Sequence, residues 1–531
     1  MPVTGAQVVI DTLISAGITK LFSLSGNQIL ALYDATIDRD IEIVHVRHEA
    51  AAVAMADAWG RVTGRPGVAL ITAGPGHCNT LAAIYSAKMA ESPVVILSGH
   101  CPTGQIGTGA FQEIDQVAVA KPVSKAAWLA DRPDQLRTDI DRALLLAAEG
   151  RPGPIHVSLP VDLLEAPGSV QDDGGLSETP RHPFGNAREA LDQLSTASHP
   201  LILAGPAMGR GDIWKAISDL SKATGVPALS TESPRGVNDP ALHHATNFLA
   251  LADLVLLVGK KLDSTLKFGD APYFNAACRF IQIDADEAGP SNGSNVSHYW
   301  RADPLEAVTA MLGATAEGAH ETTMWLNQVS AAQRQVPPDW RQLSESTERP
   351  VHPLALCRAL QPWMDDGAVL VSDGGEFGQW AQAAMDAEIR LTNGPGGAIG
   401  FALPMGVAAR MSLSERPVFV LTGDGAFGFH TMEIDTALRY GAPVIVVVGN
   451  DATWNAEHQL QIAKYGPDRT VGCQLLPTRY DLLVASLGGH GEYVEDASQL
   501  PGAIQRAVAS GLPSCINVCI SGAPAPTFRE D

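Results

Sequence analysis

The sequence lacks the features that mark several classes of protein. Its seven cysteines among 531 residues are an odd number without a Cys-x-x-Cys pair, which predicts neither a disulfide framework nor a tetrahedral zinc site. The longest apolar runs, such as residues 444–448, fall far short of the roughly 20 residues that a membrane-spanning helix needs. The N-terminus shows no basic segment followed by an apolar one, so we expect a cytoplasmic protein.

Positive charge is also scarce. The chain has 36 Lys and Arg against 58 Asp and Glu, a formal net charge of -22 at pH 7, and no run of basic residues. Such a surface repels phosphate backbones and anionic lipids, so we expect neither nucleic acid nor a membrane as a partner. What the chain does have is 45% hydrophobic residues with 51 Gly and 36 Pro, as in a compact protein with many tight turns.

Short apolar runs separated by helical patterns recur along the chain. They lie at residues 21–24, 68–72, 94–97, 155–159, 201–203, 254–258, 280–283, 368–371, 418–421, 444–448 and 516–520. Short continuous apolar runs of this kind are typical of buried parallel strands. The sequence therefore predicts an α/β protein with three doubly wound parallel-sheet domains.

Two polar segments rich in turn residues divide these runs into three groups. One is residues 167–183, and the other comprises Pro337, Pro338 and residues 344–350. We therefore place an N-terminal domain at 1–166, a central domain at 185–315 and a C-terminal domain at 350–531. Sheets of this kind bind ligands beyond the carboxyl ends of their strands, so the site is expected in the turns that follow the strands.

Two acidic turns follow consecutive predicted strands of the last domain. Asp424 lies in Gly423-Asp424-Gly425 after the run at 418–421, and Asp451 follows the run at 444–448. Adjacent parallel strands would bring both carboxylates to one edge of the sheet, where glycine lets the backbone approach a ligand. Such oxygen ligands suit Mg²⁺ and a phosphate group. An ordinary turn with Asp as its cap has the same residues.

A third acidic residue, Glu49, opens a predicted helix whose faces are apolar. It follows the apolar run at 41–46 and precedes an alanine-rich stretch, so we expect its side chain to be buried. A buried carboxyl group can hold or donate a proton near neutral pH. A surface glutamate stabilised by the helix macrodipole explains the same position equally well.

Four longer segments carry a specific combination of motifs. They are RHEAAAVAMADAWGRVTGRPGVALITAGPGHCNTL at 47–81, GTGAFQEIDQVAVAKPVSK at 107–125, GPGGAIGFALPMG at 394–406 and GDGAFGFHTMEIDTALRYGAPVIVVVGNDATW at 423–454. In this order the chain resembles, over nearly its whole length, the thiamine diphosphate enzymes of the acetolactate synthase, benzoylformate decarboxylase and benzaldehyde lyase group. The resemblance implies thiamine diphosphate and Mg²⁺ as cofactors, and a homodimer or homotetramer with active sites between subunits.

The resemblance also implies roles for individual residues around the cofactor. Glu49 would hydrogen-bond N1′ of the aminopyrimidine and promote its imino form, and Gly74 and Asn79 belong to a tight turn against the cofactor. The Gly397 carbonyl would face the 4′-amino group, and Ile399 would bend the cofactor so that this group meets the thiazolium C2.

The acidic turns match the positions that hold the metal against the diphosphate. The resemblance assigns Asp424, Asp451 and the Thr453 backbone carbonyl to Mg²⁺, with Gly423 and Gly425 beside the diphosphate. The family usually has Asn where this chain has Asp451, which places an additional negative charge beside the metal. Because Asp is still a hard-oxygen ligand, we expect metal binding to persist.

On the substrate side, the resemblance points to Gln28 and Gln112. Gln28 stands where benzaldehyde lyase carries a histidine, and Gln112 aligns with its pocket glutamine. An amide cannot transfer protons at neutral pH but can orient a carbonyl or carboxylate of a small-molecule substrate. The chain is therefore expected to be an acetolactate synthase-like C–C bond lyase or transferase, a carboligase that acts on 2-oxo acids or 2-hydroxy ketones.

Other functions fit parts of the chain. Residues 260–284 resemble the middle domain of 2-hydroxyacyl-CoA lyases, and a simple 2-oxo acid decarboxylase is a further alternative. The glycine-rich turn at 205–211 is a weak indication of FAD. A non-catalytic paralogue that only binds the cofactor is an alternative of another class, against which the presence of Glu49 and the Gly423-Asp424-Gly425 turn counts.

Overall fold

The computed structural model describes residues 3–168, 184–286, 289–290, 295–315 and 323–529. In these ranges the strands form three sheets in which every pair of neighbours is parallel, with helices between the strands. The predicted α/β class with three doubly wound parallel sheets is confirmed. Of the first predicted linker, residues 169–183 lie outside the described residues.

The first sheet has six strands. They are β1 Lys20–Ser23, β2 Glu42–His45, β3 Gly67–Ile71, β4 Val94–His100, β5 Ala126–Leu129 and β6 Pro154–Pro160, in the order β2-β1-β3-β4-β6-β5. Its helices are α1 Gly5–Ser15, α2 Leu30–Ala35, α3 Glu49–Thr63, α4 Pro75–Cys78, α5 Leu81–Met89, α6 Gln116–Ala120, α7 Leu136–Ala148 and α8 Val161–Glu165. The inner strands β3, β4 and β6 are buried along their whole length, as in sheets covered on both faces.

The central sheet has five strands. They are β7 Pro200–Ala204, β8 Ala228–Ser230, β9 Leu254–Val258, β10 Arg279–Asp284 and β11 Val296–Arg301, in the order β11-β10-β9-β7-β8. The helices of this region are α9 Ala187–Thr196, α10 Gly211–Thr224, α11 Pro304–Ala314, α12 Met324–Arg334 and α13 Trp340–Ser344. This sheet belongs to one compact unit, while the first and third sheets together belong to another.

The third sheet again has six strands. They are β12 Val369–Ser372, β13 Arg390–Thr392, β14 Val418–Gly423, β15 Val444–Asn450, β16 His490–Val494 and β17 Ser514–Cys519, in the order β13-β12-β14-β15-β17-β16. Its helices are α14 Pro353–Asp365, α15 Gly375–Ala384, α16 Ala402–Ser412, α17 Asp424–His430, α18 Glu433–Arg439, α19 Asn455–Tyr465, α20 Tyr480–Ser486 and α21 Leu500–Ala509. The strands β14 and β15 are neighbours with Gly423 opposite Gly449, so their following turns share one edge of the sheet.

Helix α3 joins the first and third sheets into one core. Its alanine-rich surface packs with α16 in a single cluster of buried apolar side chains. Alanine has the highest intrinsic helix propensity and lets helices approach closely. The helix begins where His48 Nδ1 accepts the Ala50 N–H at 3.1 Å, and it ends at Gly64 with a φ of 69°. Glu49 is thereby held at the first turn of a rigid element.

The structure shows the state of the cysteines and the character of the helices. All seven cysteines lie within the described residues, and none of them forms a disulfide. Among the helices of the same ranges, none is both long and apolar enough to cross a membrane.

Candidate active site

Glu49 is the first residue of α3, and only 8% of its surface is exposed. The burial that the sequence predicts is therefore confirmed. Asn79, directly after α4, donates a hydrogen bond from Nδ2 to the Glu49 carboxylate at 3.0 Å. A β-carbon placed on Gly76 would lie 3.5 Å from Glu49 Oε1, so the backbone of α4 packs against the carboxylate. Glu49 and Asn79, predicted separately, are thus in direct contact.

The turn at Gly74 is fixed by close backbone contacts. Gly74 has a φ of 57°, and a β-carbon there would lie 2.5 Å from the Gln112 carbonyl oxygen. Gln112 also has a positive φ, 59°, which is a strained backbone conformation for a residue with a side chain. Gln116, which the sequence analysis missed, accepts the Gly74 N–H at 2.8 Å and donates to the Gly99 carbonyl at 3.1 Å. These contacts hold the backbone of Gln112 against the Gly74 turn.

Gln28 lies in the short 3₁₀ turn Asn27–Ile29 and is buried. Its Oε1 accepts a hydrogen bond of 2.7 Å from the hydroxyl of Thr72, which directly follows β3. A β-carbon on Gly76 would lie 2.6 Å from Thr72 Cγ2 as well as beside Glu49. Gln28, Thr72 and Glu49 therefore lie close together near the carboxyl ends of the first sheet's strands.

The loop that contains Gly397 and Ile399 joins β13 to α16. Ile399 is half-buried, and its Cγ2 would lie 2.8 Å from a β-carbon on Gly374. The next residue, Gly400, donates its N–H to Asp373 at 2.9 Å and accepts a hydrogen bond from His430 Nδ1 at 2.8 Å. The position of Ile399 is thus set by two buried side chains that the sequence analysis did not select.

Burial shifts the pKa values of those two side chains in opposite directions. It raises the pKa of the Asp373 carboxyl group to about 6, against hydrogen bonds from the backbone that lower it. It lowers the pKa of His430 to about 4 because a charged ring is disfavoured there. His430 is therefore neutral near pH 7, with the Nδ1 proton donated to Gly400.

The two acidic turns meet at the edge of the third sheet, as predicted. Thr453 donates its backbone N–H to Asp451 Oδ1 at 3.2 Å, and the same N–H contacts the Asp424 carboxyl group. Burial raises the pKa of Asp424 to about 6. Burial and then the charge of Asp424 raise the pKa of Asp451 to about 7. Two carboxyl groups that repel each other thus share one small volume.

This volume fits a hard divalent cation. Asp424 Oδ2 is buried and has no hydrogen-bond partner among the described residues. No backbone hydrogen bond of the described residues ends on the Thr453 carbonyl. The part of the chain that the structure describes has no group of three His, Cys, Asp or Glu side chains arranged for a metal, so any cation site here uses two carboxylates and backbone oxygen. Mg²⁺ accepts such a set because water and phosphate complete its coordination.

Backbone geometry supports a ligand site at the same turns. Ala452, between Asp451 and Thr453, has a φ of 53°, a strained value for a residue with a side chain. A β-carbon on Gly425 would lie 2.5 Å from the Trp454 ring, whereas a β-carbon on Gly423 would meet open space. The Gly423 backbone is thus accessible to a ligand.

The structure brings the sequence-selected residues into two groups. Glu49, Gly74, Asn79, Gln28 and Gln112 gather at the first sheet, whereas Gly423, Asp424, Gly425, Asp451 and Thr453 gather at the third. Among the described residues, no hydrogen bond or ion pair joins Glu49 to Asp424 or Asp451. Of the missed residues, Thr72 and Asp373 directly follow β3 and β12, so the strand-end rule could have selected them.

Three family models match the chain in order. The thiamine pyrophosphate enzyme N-terminal TPP binding domain matches residues 3–119, the central domain residues 187–311 and the C-terminal TPP binding domain residues 373–518. The first match covers β1 to β4, the central match covers all five strands of the central sheet, and the third match covers β13 to β16 with most of β17. Both groups of site residues fall within matched regions.

Curated relatives match nearly the whole chain. The acetolactate synthase large subunit IlvG of Mycobacterium tuberculosis is 34% identical over 520 residues, covering 95% of this chain and 93% of the relative. The acetolactate synthase isozyme 3 large subunit of Escherichia coli is 30% identical over 479 residues, covering 84% and 81%. The 2-hydroxyacyl-CoA lyase 2 of Danio rerio is 29% identical over 602 residues, covering 100% and 93%.

Proposed function

This chain belongs to the thiamine pyrophosphate enzyme family, and from that premise we propose that it makes or breaks C–C bonds in 2-oxo acids or 2-hydroxy ketones with the help of Mg²⁺. An enzyme of the carboligase or lyase type follows from the family. The observation that carries the finer proposal is the buried Glu49 carboxylate, bonded to Asn79 beside the Gly74 turn.

Some of the site residues would hold a proton, and others would bind the cofactor. Bound thiamine diphosphate supplies a carbon nucleophile that attacks a carbonyl group. Glu49 would hold a proton at the cofactor's pyrimidine, and Asn79 keeps the carboxylate oriented for this. Gly74, Gly397 and Ile399 would set the position of the cofactor.

The acidic turns would bind the other end of the cofactor. Asp424, Asp451 and the Thr453 carbonyl would hold Mg²⁺ against the diphosphate, and Gly423 and Gly425 would bring the backbone close to it. A cation would relieve the repulsion between the buried Asp424 and the half-buried Asp451 carboxyl groups, and it would supply the partner that Asp424 Oδ2 lacks among the described residues. Gln28 and Gln112 would orient the small-molecule substrate at the first sheet.

We further propose a homodimer or homotetramer in which Glu49 of one subunit faces the metal turns of another. The family resemblance supports it, together with the finding that no hydrogen bond or ion pair of the described residues joins Glu49 to Asp424 or Asp451. Location in the cytoplasm and the absence of nucleic-acid and membrane partners stay predictions.

A 2-hydroxyacyl-CoA lyase is the second candidate. It is supported by the 29% identity to the Danio rerio protein of that name, which extends over 100% of this chain. The predicted FAD turn lies between β7 and α10 and includes the 3₁₀ turn Ala207–Gly209. FAD binding there stays a prediction.

The test is a parallel assay of the purified protein with thiamine diphosphate and Mg²⁺. Pyruvate, benzoylformate, benzoin and a 2-hydroxyacyl-CoA are offered separately, and products are analysed together with circular dichroism. Release of CO₂ with formation of a 2-hydroxy ketone supports a decarboxylating carboligase, whereas cleavage of benzoin without CO₂ supports a lyase. Turnover of the CoA compound alone would move the assignment to the second candidate.

A further inference from the structure

The side-chain amide of Gln28 accepts a hydrogen bond at its oxygen, and its nitrogen has no hydrogen-bond partner among the described residues. The Thr72 hydroxyl donates to Gln28 Oε1 at 2.7 Å, and both side chains are buried. Within the described residues, neither side chain makes another side-chain hydrogen bond. The two N–H groups of the amide are therefore the ones left for a ligand.

The hydrogen bond from the Thr72 hydroxyl determines the orientation of the Gln28 side-chain amide. A hydroxyl carries one proton, and burial makes an unpaired donor costly. If the amide turned over, Nε2 would face Thr72 Oγ1, and the bond from the hydroxyl to the amide oxygen would be lost. In the structure Thr72 donates to the amide oxygen, which leaves both N–H groups for a ligand.

Backbone packing keeps both side chains in place. A β-carbon on Gly99 would lie 2.6 Å from Gln28 Cβ, and one on Gly26 would lie 2.3 Å from Thr72 Oγ1. These approaches are open only to glycine, and they leave the two side chains little room to rotate. The contact of Gly76 with both Thr72 and Glu49 places the pair beside the proposed proton-handling group.

We propose that Thr72 is a positioning residue that turns the N–H groups of Gln28 toward the substrate. The two N–H groups then select a substrate that has an oxygen atom able to accept hydrogen bonds at this position. A carboxylate gains most, because hydrogen bonds to an ionised acceptor are the strongest. Thr72 acts through Gln28 and does not itself contact the substrate. This inference rests on the proposed function.

The test compares pyruvate with its uncharged ester methyl pyruvate on the enzyme loaded with thiamine diphosphate and Mg²⁺. Calorimetry gives the ratio of their dissociation constants, and kinetics gives the ratio of their KM values. Thr72→Val keeps the shape but removes the hydroxyl, and we expect the preference for pyruvate to fall by about tenfold. Thr72→Ser keeps the hydroxyl and should retain the preference.

A second variant tests the donor role directly. Gln28→Glu replaces the N–H groups by a carboxylate, which repels the pyruvate carboxylate. We expect its KM for pyruvate to rise at least about tenfold more than its KM for methyl pyruvate. A wild-type enzyme without a preference for pyruvate, or a Thr72→Val variant that keeps the preference, would overturn the proposal.

Thr12→Val is the matched control. Its hydroxyl is also buried, donates to the Val8 carbonyl at 2.7 Å and lies in α1, with no hydrogen bond to Gln28. The control should keep the wild-type ratio between the two ligands.

Calorimetry with thiamine diphosphate distinguishes failure of the proposed function from failure of the positioning role of Thr72. If the wild type does not bind the cofactor, the proposed function is wrong. If the wild type binds it and Thr72→Val keeps the wild-type ratio of dissociation constants for pyruvate and methyl pyruvate, only the positioning role of Thr72 is wrong.

Discussion

At the scale of single residues, two buried carboxyl groups differ in what surrounds them. Glu49 is bonded by the neutral donor of Asn79, whereas Asp424 has a buried oxygen without a hydrogen-bond partner among the described residues. A carboxyl group with a neutral partner is suited to exchanging a proton, while a carboxylate with one such oxygen, beside a second carboxylate, is suited to a cation. The same functional group thus supports two different proposed roles.

Glu49→Gln tests the first role. The amide keeps the shape of the side chain but cannot hold the proton, so we expect kcat to fall at least about 100-fold. Affinity for thiamine diphosphate, measured by calorimetry, should change little because the packing around Gly76 is kept. The control is Glu42→Gln on the more exposed partner of Lys20. Undiminished turnover of Glu49→Gln would contradict the role.

Asp424→Ala tests the second role. Removing one of two carboxylates should weaken Mg²⁺-dependent binding of thiamine diphosphate by more than about tenfold. Asp451→Asn is the comparison, because it keeps an oxygen ligand and removes one charge, and we expect it to bind the cofactor. Calorimetry measures both. An unchanged affinity in Asp424→Ala would count against the metal site.

At the scale of elements, α3 connects the first group of site residues to the third sheet through the core. Its first residue is Glu49, and near its last turn Arg61 donates to the Thr392 carbonyl at the end of β13 at 2.7 Å. Arg61 also forms an ion pair with Asp57, and the exposed fractions of the two side chains are 2% and 3%. A charge so deeply buried is tolerated only while its partner is present.

Arg61→Met should therefore reduce the free energy of unfolding by about 3–5 kcal/mol, because Asp57 is left as an unpaired buried charge. The double variant Asp57→Leu with Arg61→Met removes both charges and should recover most of this loss. Denaturant titration of the two variants and the wild type gives the comparison. Equal losses in the single and double variants would show that packing, not the unpaired charge, causes the effect.

At the scale of the whole molecule, buried histidines and buried carboxyl groups give opposite pH dependences. Burial lowers the pKa of His77 to about 4 from its usual 6.5, so below pH 6.5 the unfolded chain takes up a proton that the folded chain refuses. Stability from this group is therefore full above pH 6.5 and is lost as the pH falls toward 4. Asp373, with its pKa raised to about 6, contributes stability at low pH that is lost as the pH rises through that value.

His77→Gln separates the histidine from the carboxyl groups. Between about pH 7 and pH 4.5, the wild type should lose up to about 3 kcal/mol more of its free energy of unfolding than the variant does. Denaturant titrations of both proteins at the two pH values measure this difference. The control is the exposed His298, whose replacement by Gln should leave the wild-type pH dependence. Parallel pH curves for wild type and His77→Gln would contradict the prediction.

The sequence by itself determined the central strands. β4, β9 and β15 are buried on both faces, so their residues form continuous apolar runs that can be read locally. The strands that it missed include β5, β8 and β13, which lie at sheet edges and are short or only partly buried. An edge strand pairs on one side only, and its pattern of apolar residues is correspondingly weak.

Part of the candidate site was determined in the same way. Consecutive parallel strands with acidic turns implied that Asp424 and Asp451 would meet, and an apolar helix implied that Glu49 would be buried. Only the tertiary structure decided that Thr72 bonds Gln28 and that Asp373 holds Gly400. The periodicity of a sequence reports which way a side chain faces on its own element. Its partner on a distant element is chosen by how the elements pack, and by the need to pair every polar group that this packing buries.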